Sequence, residues 1–275
     1  MPELPEVEVC RLGLEPALSG ALIESVEVRF PRLRRPLPEN LAATLAGRRI
    51  VELRRRGKYL LLACQGSTDS GWLVVHLGMS GNLRLVAAGS EPGRHDHFDL
   101  RAAGKILRYS DPRRFGLIDW IAGDDYGSHP LLAGLGIEPL DGEFSGGWLY
   151  RIGRARSTPI KILLMDGHVV VGIGNIYAAE ALFRARISPL KPAGRLGRAA
   201  CDRLATAVQA TLTEAIAAGG SSIRDYRHHD GGSGYFQITV AVYGRAGLPC
   251  PRCGAPVRQV KQSGRSTFYC AGCQK

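Results

Sequence analysis

The spacing of apolar positions changes once along the chain. A first segment, from about Pro5 to Leu18, reads as a short helix containing Val7, Arg11 and Gly13. The apolar residues then fall into short or alternating runs, Ile23 to Val28, Lys58 to Ala63, Trp72 to Leu77, Phe98 to Leu100 and Ile106 to Tyr109, punctuated by glycine and proline. Strands this short and this frequent predict a β-sandwich or flattened barrel over roughly the first 130 residues. Ala103-Gly104, lying between two such runs, reads as a hairpin tip.

Beyond Leu135 the pattern becomes helical. Leu204, Val208, Leu212 and Ile216 recur every four residues and run into Gly219-Gly220, a helix stop. Ile176, Ala179, Phe183 and Ile187 mark a second helix, opened by Gly172-Ile173-Gly174-Asn175 with Asn175 as its expected N-cap, and closed by Ser188-Pro189. A glycine-lined helix start offers unpaired N–H groups and a positive dipole end to a phosphate, although glycine before a helix is common. The stretch Gly219 to Gly234, GGSSIRDYRHHDGGSG, is polar and glycine-rich and reads as a mobile loop. There is no internal repeat.

Composition narrows the classes. The 275 residues allow two ordinary domains, or one with an appended module, and no apolar run reaches the roughly 20 residues that a membrane helix needs. The opening MPELPEVEVC carries acids where a secretory signal would be basic and then apolar, so a cytosolic location is expected. Formal net charge is +11, and no acid follows Asp230, leaving six Lys or Arg in the last 45 residues. Basic charge concentrated this way favours a phosphate-rich partner, without by itself separating nucleic acid from mere solubility.

The cysteines carry the strongest local signal. Cys10, Cys64 and Cys201 are isolated among apolar neighbours and read as small buried hydrophobes. Cys250-x2-Cys253-x16-Cys270-x2-Cys273 has the spacing of two metal knuckles that together give four thiolates. With every position filled by protein, the expected ion is one structural zinc. Between the knuckles, VRQVKQSGRSTFYC reads as two strands around Ser263-Gly264, a hairpin with Arg265 at its tip. Such a ribbon can enter a groove or grip a phosphate; a solvated turn is the bland alternative.

Pro2 follows an initiator methionine that is readily trimmed, which would leave a secondary amine able to form an iminium with an aldehyde carbon. Most Met-Pro starts are inert. Glu3 beside it could move protons, while Glu6 and Glu8 could simply favour a helix start.

Taken in order, PELPEVE at 2–8, RRRGKYLLL at 54–62, HLGMSG at 76–81, HDHFDL at 95–100, YSDPRRFG at 109–116, GIGNIYAAEALF at 172–183 and the terminal FYCAGCQK resemble the bacterial formamidopyrimidine-DNA glycosylases over the whole length. The resemblance implies an α+β chain with three parts: an N-terminal β-sandwich with an N-terminal helix at 1–134, a helix-two-turn-helix domain at 135–235, and a β-hairpin zinc finger at 236–275. It implies a bifunctional glycosylase and lyase of base excision repair that removes 8-oxoguanine and formamidopyrimidines from damaged duplex DNA in the bacterial cytosol. A monomer is expected, with no membrane partner.

Carried over by residue, the family's nucleophile falls on Pro2, its assisting acid on Glu3, the proton donor of the first strand elimination on Lys58 and the residue of the second on Arg265. Met79, Arg113 and Phe115 match the residues that fill the hole left by a flipped base, which must leave the stack to be reached. In general such apolar residues are core, but MSG and RRFG are turn-like settings. His95, Arg156 and Asn175 match DNA-contacting positions, although the arginine-rich stretch Arg151, Arg154, Arg156 departs from the family's lysine-rich version. The Gly219 to Gly234 segment matches a loop that closes over the flipped base. Two other readings compete: the endonuclease VIII branch, which prefers oxidised pyrimidines, and a zinc-ribbon DNA-binding protein without chemistry. PELPEVE with Met79, Arg113 and Phe115 favours the purine branch. Pro2, Glu3, Lys58 and Arg265 together favour an enzyme.

Overall fold

The structure, a computed structural model, describes residues 1–220 and 240–275. The polar segment from Gly219 to Gly234 therefore lies, beyond Gly220, outside the described residues. The described chain divides into two compact units, Met1–Ala133 and Gly134–Ala218 joined by the C-terminal segment.

The first unit begins with α1 (Leu4–Leu18), then β1 (Ile23–Val28), α2 (Leu41–Leu45), β2 (Arg49–Arg56), β3 (Tyr59–Gln65), β4 (Ser70–His76), β5 (Asn82–Ala87), β6 (Asp96–Ala102), β7 (Lys105–Ser110) and β8 (Leu117–Ala122). These strands form two four-stranded sheets, in the orders β1-β6-β7-β5 and β2-β3-β4-β8, with every pairing antiparallel. Alternation fills the space between them: Leu60, Leu62 and Cys64 of β3 and Leu73 and Val75 of β4 share one core with Phe98, Leu100, Leu107 and Tyr109 of the other sheet. Helix α1 sends Val7, Cys10, Leu14 and Leu18, all on one face, into the same core. The expected hairpin between β6 and β7 is present. Ala103 and Gly104 have φ of 51° and 68°, the two positive values that a two-residue turn with the right twist requires.

A charged cluster is buried on the other face of the β1-β6-β7-β5 sheet, where Asp99 and Arg108 alternate with the core residues. Arg108 is 2% exposed and donates to both oxygens of Asp99 at 2.9 and 2.7 Å, while Arg29 reaches the same carboxylate at 2.6 Å. Burial alone would raise the Asp99 pKa, but hydrogen bonds and charge from Arg108 and Arg29 hold it below the usual carboxylate value.

The second unit contains α3 (Gly146–Gly153), α4 (Ile160–Leu164), α5 (Asn175–Arg184) and α6 (Arg198–Ala217), followed by the ribbon β9 (Arg258–Gln262) and β10 (Arg265–Tyr269). Leu204, Val208 and Leu212 of α6 are buried as their spacing predicts. Gly219 and Gly220, at φ 82° and 84°, end that helix. Helix α5 stops at Arg184, short of the Ile187 expected to belong to it, because Arg186 turns left-handed at φ 60°; Ile187 is nonetheless buried. A small separate core joins Ala179 and Phe183 of α5 to Val242, Cys250, Val257, Phe268 and Cys270. Among the described residues no helix is long and apolar enough to cross a membrane.

Removing one partner of a buried ion pair strands the other charge. Asp99→Ala is therefore expected to cost the sandwich about 3–5 kcal/mol in urea unfolding, whereas joint replacement of Asp99 by Leu and Arg108 by Met should recover most of that loss.

Candidate active site

At the head of α1, Glu3 is the N-cap, and its backbone N–H donates to Glu6 Oε2 at 2.7 Å. The Glu3 side chain accepts in turn from the Glu6 backbone, a reciprocal cap that satisfies two orphan donors of the helix. Pro2, Glu3 and Glu6 are all buried. One turn later Glu8 accepts from Arg55 of β2 at 2.9 Å, and Arg55 also donates to the Gly57 carbonyl at 3.1 Å. That brace ties the helix to the turn carrying Lys58. Lys58 belongs to this β2–β3 turn, not to the strand start that its sequence suggests; it is half-buried, and Gly57 beside it takes φ of 57°. The structure thus brings Pro2, Glu3 and Lys58 into one unit, linked through Glu8 and Arg55.

Two further turns of the same unit carry the expected wedge residues. Met79 is 39% and Phe115 45% exposed, so neither is core. Arg113 stacks its guanidinium 4.7 Å from the Phe115 ring centre. The turns touch through glycines. Gly78 sits at φ +63°, and a Cβ there would fall 2.4 Å from the Phe115 carbonyl carbon; one on Gly116 would fall 1.7 Å from the Tyr109 hydroxyl. Only residues without side chains let the two backbones approach this closely. His95 is exposed, and its carbonyl accepts from the Asp111 N–H at 3.0 Å, which sets it beside the Phe115 turn. His76 Nδ1 accepts from the Gly78 N–H at 3.0 Å and so must be neutral to hold the Met79 turn. Burial, then the charges of Lys58 and Arg34, lower its pKa from 6.5 to about 4.

The remaining candidates lie in the second unit. Asn175 is the first residue of α5 and not its N-cap, a place taken by Gly174. Its side chain turns instead to the hairpin, donating to the Ser266 carbonyl at 2.9 Å and accepting from Lys161 at 2.5 Å. Lys161 is fully buried and also donates to the Ser266 carbonyl and the Thr267 hydroxyl, at 3.2 and 2.7 Å. One ammonium thus fastens the start of α5 to the strand that begins with the exposed Arg265. Arg156 is exposed just after the left-handed Ala155 (φ 61°) that follows α3. Nearby, Arg154 and Arg198 both lie over the Tyr150 ring, at 5.8 and 5.4 Å.

The four expected metal ligands converge, with their ligand atoms all within 4.8 Å of one another. Zinc held tetrahedrally by thiolates at about 2.3 Å separates neighbouring sulfurs by about 3.8 Å. Cys250 and Cys273 lie 3.9 Å apart and Cys253 and Cys270 3.4 Å apart, so the set fits one structural zinc ion. The hairpin between the knuckles turns at Ser263 and Gly264 (φ 45° and 79°), as expected. Glu180 of α5 anchors the segment leading into the finger, accepting backbone N–H bonds from Ala241, Val242 and Tyr243 at 2.8 to 3.0 Å.

Residues 1–118 match the formamidopyrimidine-DNA glycosylase N-terminal domain, 135–227 the formamidopyrimidine-DNA glycosylase H2TH domain, and 247–275 a zinc finger found in FPG and IleRS. The formamidopyrimidine-DNA glycosylase of Dechloromonas aromatica is 59% identical over 276 residues, covering 100% of both chains. The chain belongs to the formamidopyrimidine-DNA glycosylase family. Among solved members, the Thermus thermophilus MutM (Fpg) protein has a TM-score of 0.87 at 44% identity, covering 99% of this chain and 98% of that one. A Lactococcus lactis Fpg in complex with abasic-site DNA has 0.90 at 36%, covering 99% of each.

Family motifs point to the expected site side chains and pass over the buried residues that hold them. Lys161 could have been noticed as a lone cation inside the apolar run Ile160 to Leu164. Nothing local in the sequence marks Glu180 or His76 for their roles.

Two outcomes are expected. Cys253→Ser should lose zinc by elemental analysis, and DNA binding with it, while the sandwich keeps its own unfolding transition; full activity in that variant would remove the structural-zinc assignment. Because the His76 pKa is depressed on folding, the unfolded chain binds the extra proton between about pH 6.5 and 4, and stability is lost as pH falls through that window. His76→Gln should flatten that part of a melting-temperature profile.

Proposed function

We propose that Pro2 is the nucleophile with which this DNA glycosylase of base excision repair releases oxidised purines, 8-oxoguanine and formamidopyrimidines, from damaged duplex DNA. The observation that carries the reading is the head of α1: a proline one residue from the chain start, buried beside two carboxylates that cap the helix. Once Met1 is removed, the secondary amine attacks the sugar C1′. The C1′–base bond breaks and the base leaves with the bonding electrons and the proton given up by the amine; the C1′–O4′ bond then opens, O4′ keeping those electrons and taking a proton from Glu3, and the nitrogen lone pair completes the iminium that joins protein to sugar. The iminium acidifies the neighbouring sugar proton, and elimination expels the 3′ phosphate and then the 5′ phosphate. Glu3 assists the opening and the proton transfers, Lys58 serves the first elimination and Arg265 the second.

Met79 and Phe115 enter the stack where the damaged base has left it, and Arg113 addresses the orphaned partner base. Exposure of the two apolar side chains on turns supports this, since an apolar residue held out in water at a fixed place suits insertion better than packing. His95, Arg156 and Asn175 contact the DNA. Asn175 supports this role through its position at the positive end of α5. We take the enzyme to act as a monomer in the bacterial cytosol.

The test is borohydride trapping on a duplex with one 8-oxoguanine opposite cytosine. A covalent protein–DNA adduct with strand cleavage is expected, and both should vanish in Pro2→Gly. The mass of the trapped protein should lack Met1. An adduct that survives Pro2→Gly would move the nucleophile elsewhere, and trapping only on an oxidised-pyrimidine duplex would replace the substrate class.

A further inference from the structure

The Asp111 carboxylate is fully buried and takes no part in the chemistry above. Four donors converge on it. Ser80 Oγ and the Arg113 backbone N–H donate to Oδ1 at 2.6 and 3.2 Å; the Gly116 backbone N–H and the Tyr109 hydroxyl donate to Oδ2 at 2.8 and 3.2 Å. Those four bonds fill the four lone-pair sites of the two carboxylate oxygens. Burial, with Asp111 next to it, holds the Tyr109 phenol above its ordinary pKa and so keeps it a donor. Main-chain atoms extend the hub: the Asp111 carbonyl accepts from Arg114 N–H at 3.2 Å and lies 2.9 Å from His97 Nε2, while its N–H holds His95.

The donors come from both exposed turns. Ser80 adjoins Met79, and Arg113 and Gly116 bracket Phe115. Oδ1 alone bridges the two turns, through Ser80 and Arg113, Oδ2 adds a second bond to the Phe115 turn through Gly116, and the backbones already meet at Gly78 and Phe115. We propose that Asp111 is a positioning residue whose buried carboxylate locks the Met79 turn and the Phe115 turn into a single preformed double wedge, so that both side chains enter the duplex together. The proposal rests on the wedge role assigned above. Its physical reason is that two apolar tips on independently mobile turns would each have to be ordered at the moment of insertion, whereas a shared anion orders them beforehand.

The experiment uses the full zinc-loaded chain and two substrates. One is a duplex with 8-oxoguanine opposite cytosine and 2-aminopurine as the neighbouring base, whose fluorescence rises when a wedge unstacks it. The other is a single strand with an abasic site, which has no stack to enter and reports the Pro2 chemistry through borohydride trapping. Asp111→Ala should lose the fluorescence rise and fall about 10- to 100-fold in kcat/KM on the duplex, the scale expected for losing hydrogen bonds to a buried charge. Trapping on the single strand should stay at the wild-type level. Asp111→Asn, which keeps one acceptor oxygen and sets its amide NH2 against a backbone N–H of the Phe115 turn, should fall between the two.

An equal loss on both substrates would make Asp111 a support of the fold alone, and no loss on either would remove the clamp; both overturn the proposal. Should Asp111→Ala fail to fold, Ser80→Ala cuts only the link to the Met79 turn and must still diminish the fluorescence rise, or the clamp falls. Met79→Ala separates the two levels of argument. If it leaves the fluorescence intact, the wedge reading fails; if it abolishes the signal and the Asp111 variants do not, the clamp alone fails.

Discussion

A chain terminus is ordinarily the part of a protein most free to move, whereas the nitrogen proposed to react, that of Pro2, would have to be held still. The reciprocal cap between Glu3 and Glu6 is the interaction that reconciles the two. It places the first residues on the end of a helix, and the helix is then fixed over its length: by Val7, Cys10, Leu14 and Leu18 in the sandwich core, and by Glu8 gripping Arg55. Precision at the terminus is thus borrowed from the packing of the whole sandwich. The same brace reaches the Gly57 carbonyl and so the turn bearing Lys58, which lets a short chain of hydrogen bonds hold Pro2 and Lys58 in one frame.

A parallel economy operates at the rest of the site. Several of the expected site side chains sit on turns or at the ends of elements, with a buried charge holding the backbone behind them. Lys161 stands behind Asn175 and the start of β10, and Glu180 behind the entry to the finger. Turns give access, and a fully hydrogen-bonded buried ion gives the rigidity that turns lack.

How much of this is legible in sequence depends on the range of the interaction. The zinc site was readable because each ligand pair is closed within four consecutive residues, and the hairpins at Ala103-Gly104 and Ser263-Gly264 because their turns need residues tolerant of positive φ. Strands β2, β5 and β8 were not singled out: RIVELRRR hides its alternation behind arginines, because only Ile50 and Leu53 face the core from that edge of the sheet. Asn175 was expected to cap its own helix, the local choice for an asparagine, but a lysine and a carbonyl from distant segments outcompete the cap. Lys161 lies 106 residues from Thr267, and Ser80 lies 31 from Asp111; no window along the chain contains both ends of such bonds. Family motifs carry the expected site residues, and only the three-dimensional contacts carry their supports.

The finger's modest core has a bearing on modularity. Its apolar residues are completed by Ala179 and Phe183 of α5, with Arg252 lying 4.8 Å over the Phe183 ring. A chain truncated ahead of the finger would leave that helix with a bare greasy flank, and a finger transplanted alone would lack a wall. The metal module is therefore not a detachable accessory in evolution or in engineering: its inheritance is tied to that of the helix it leans on.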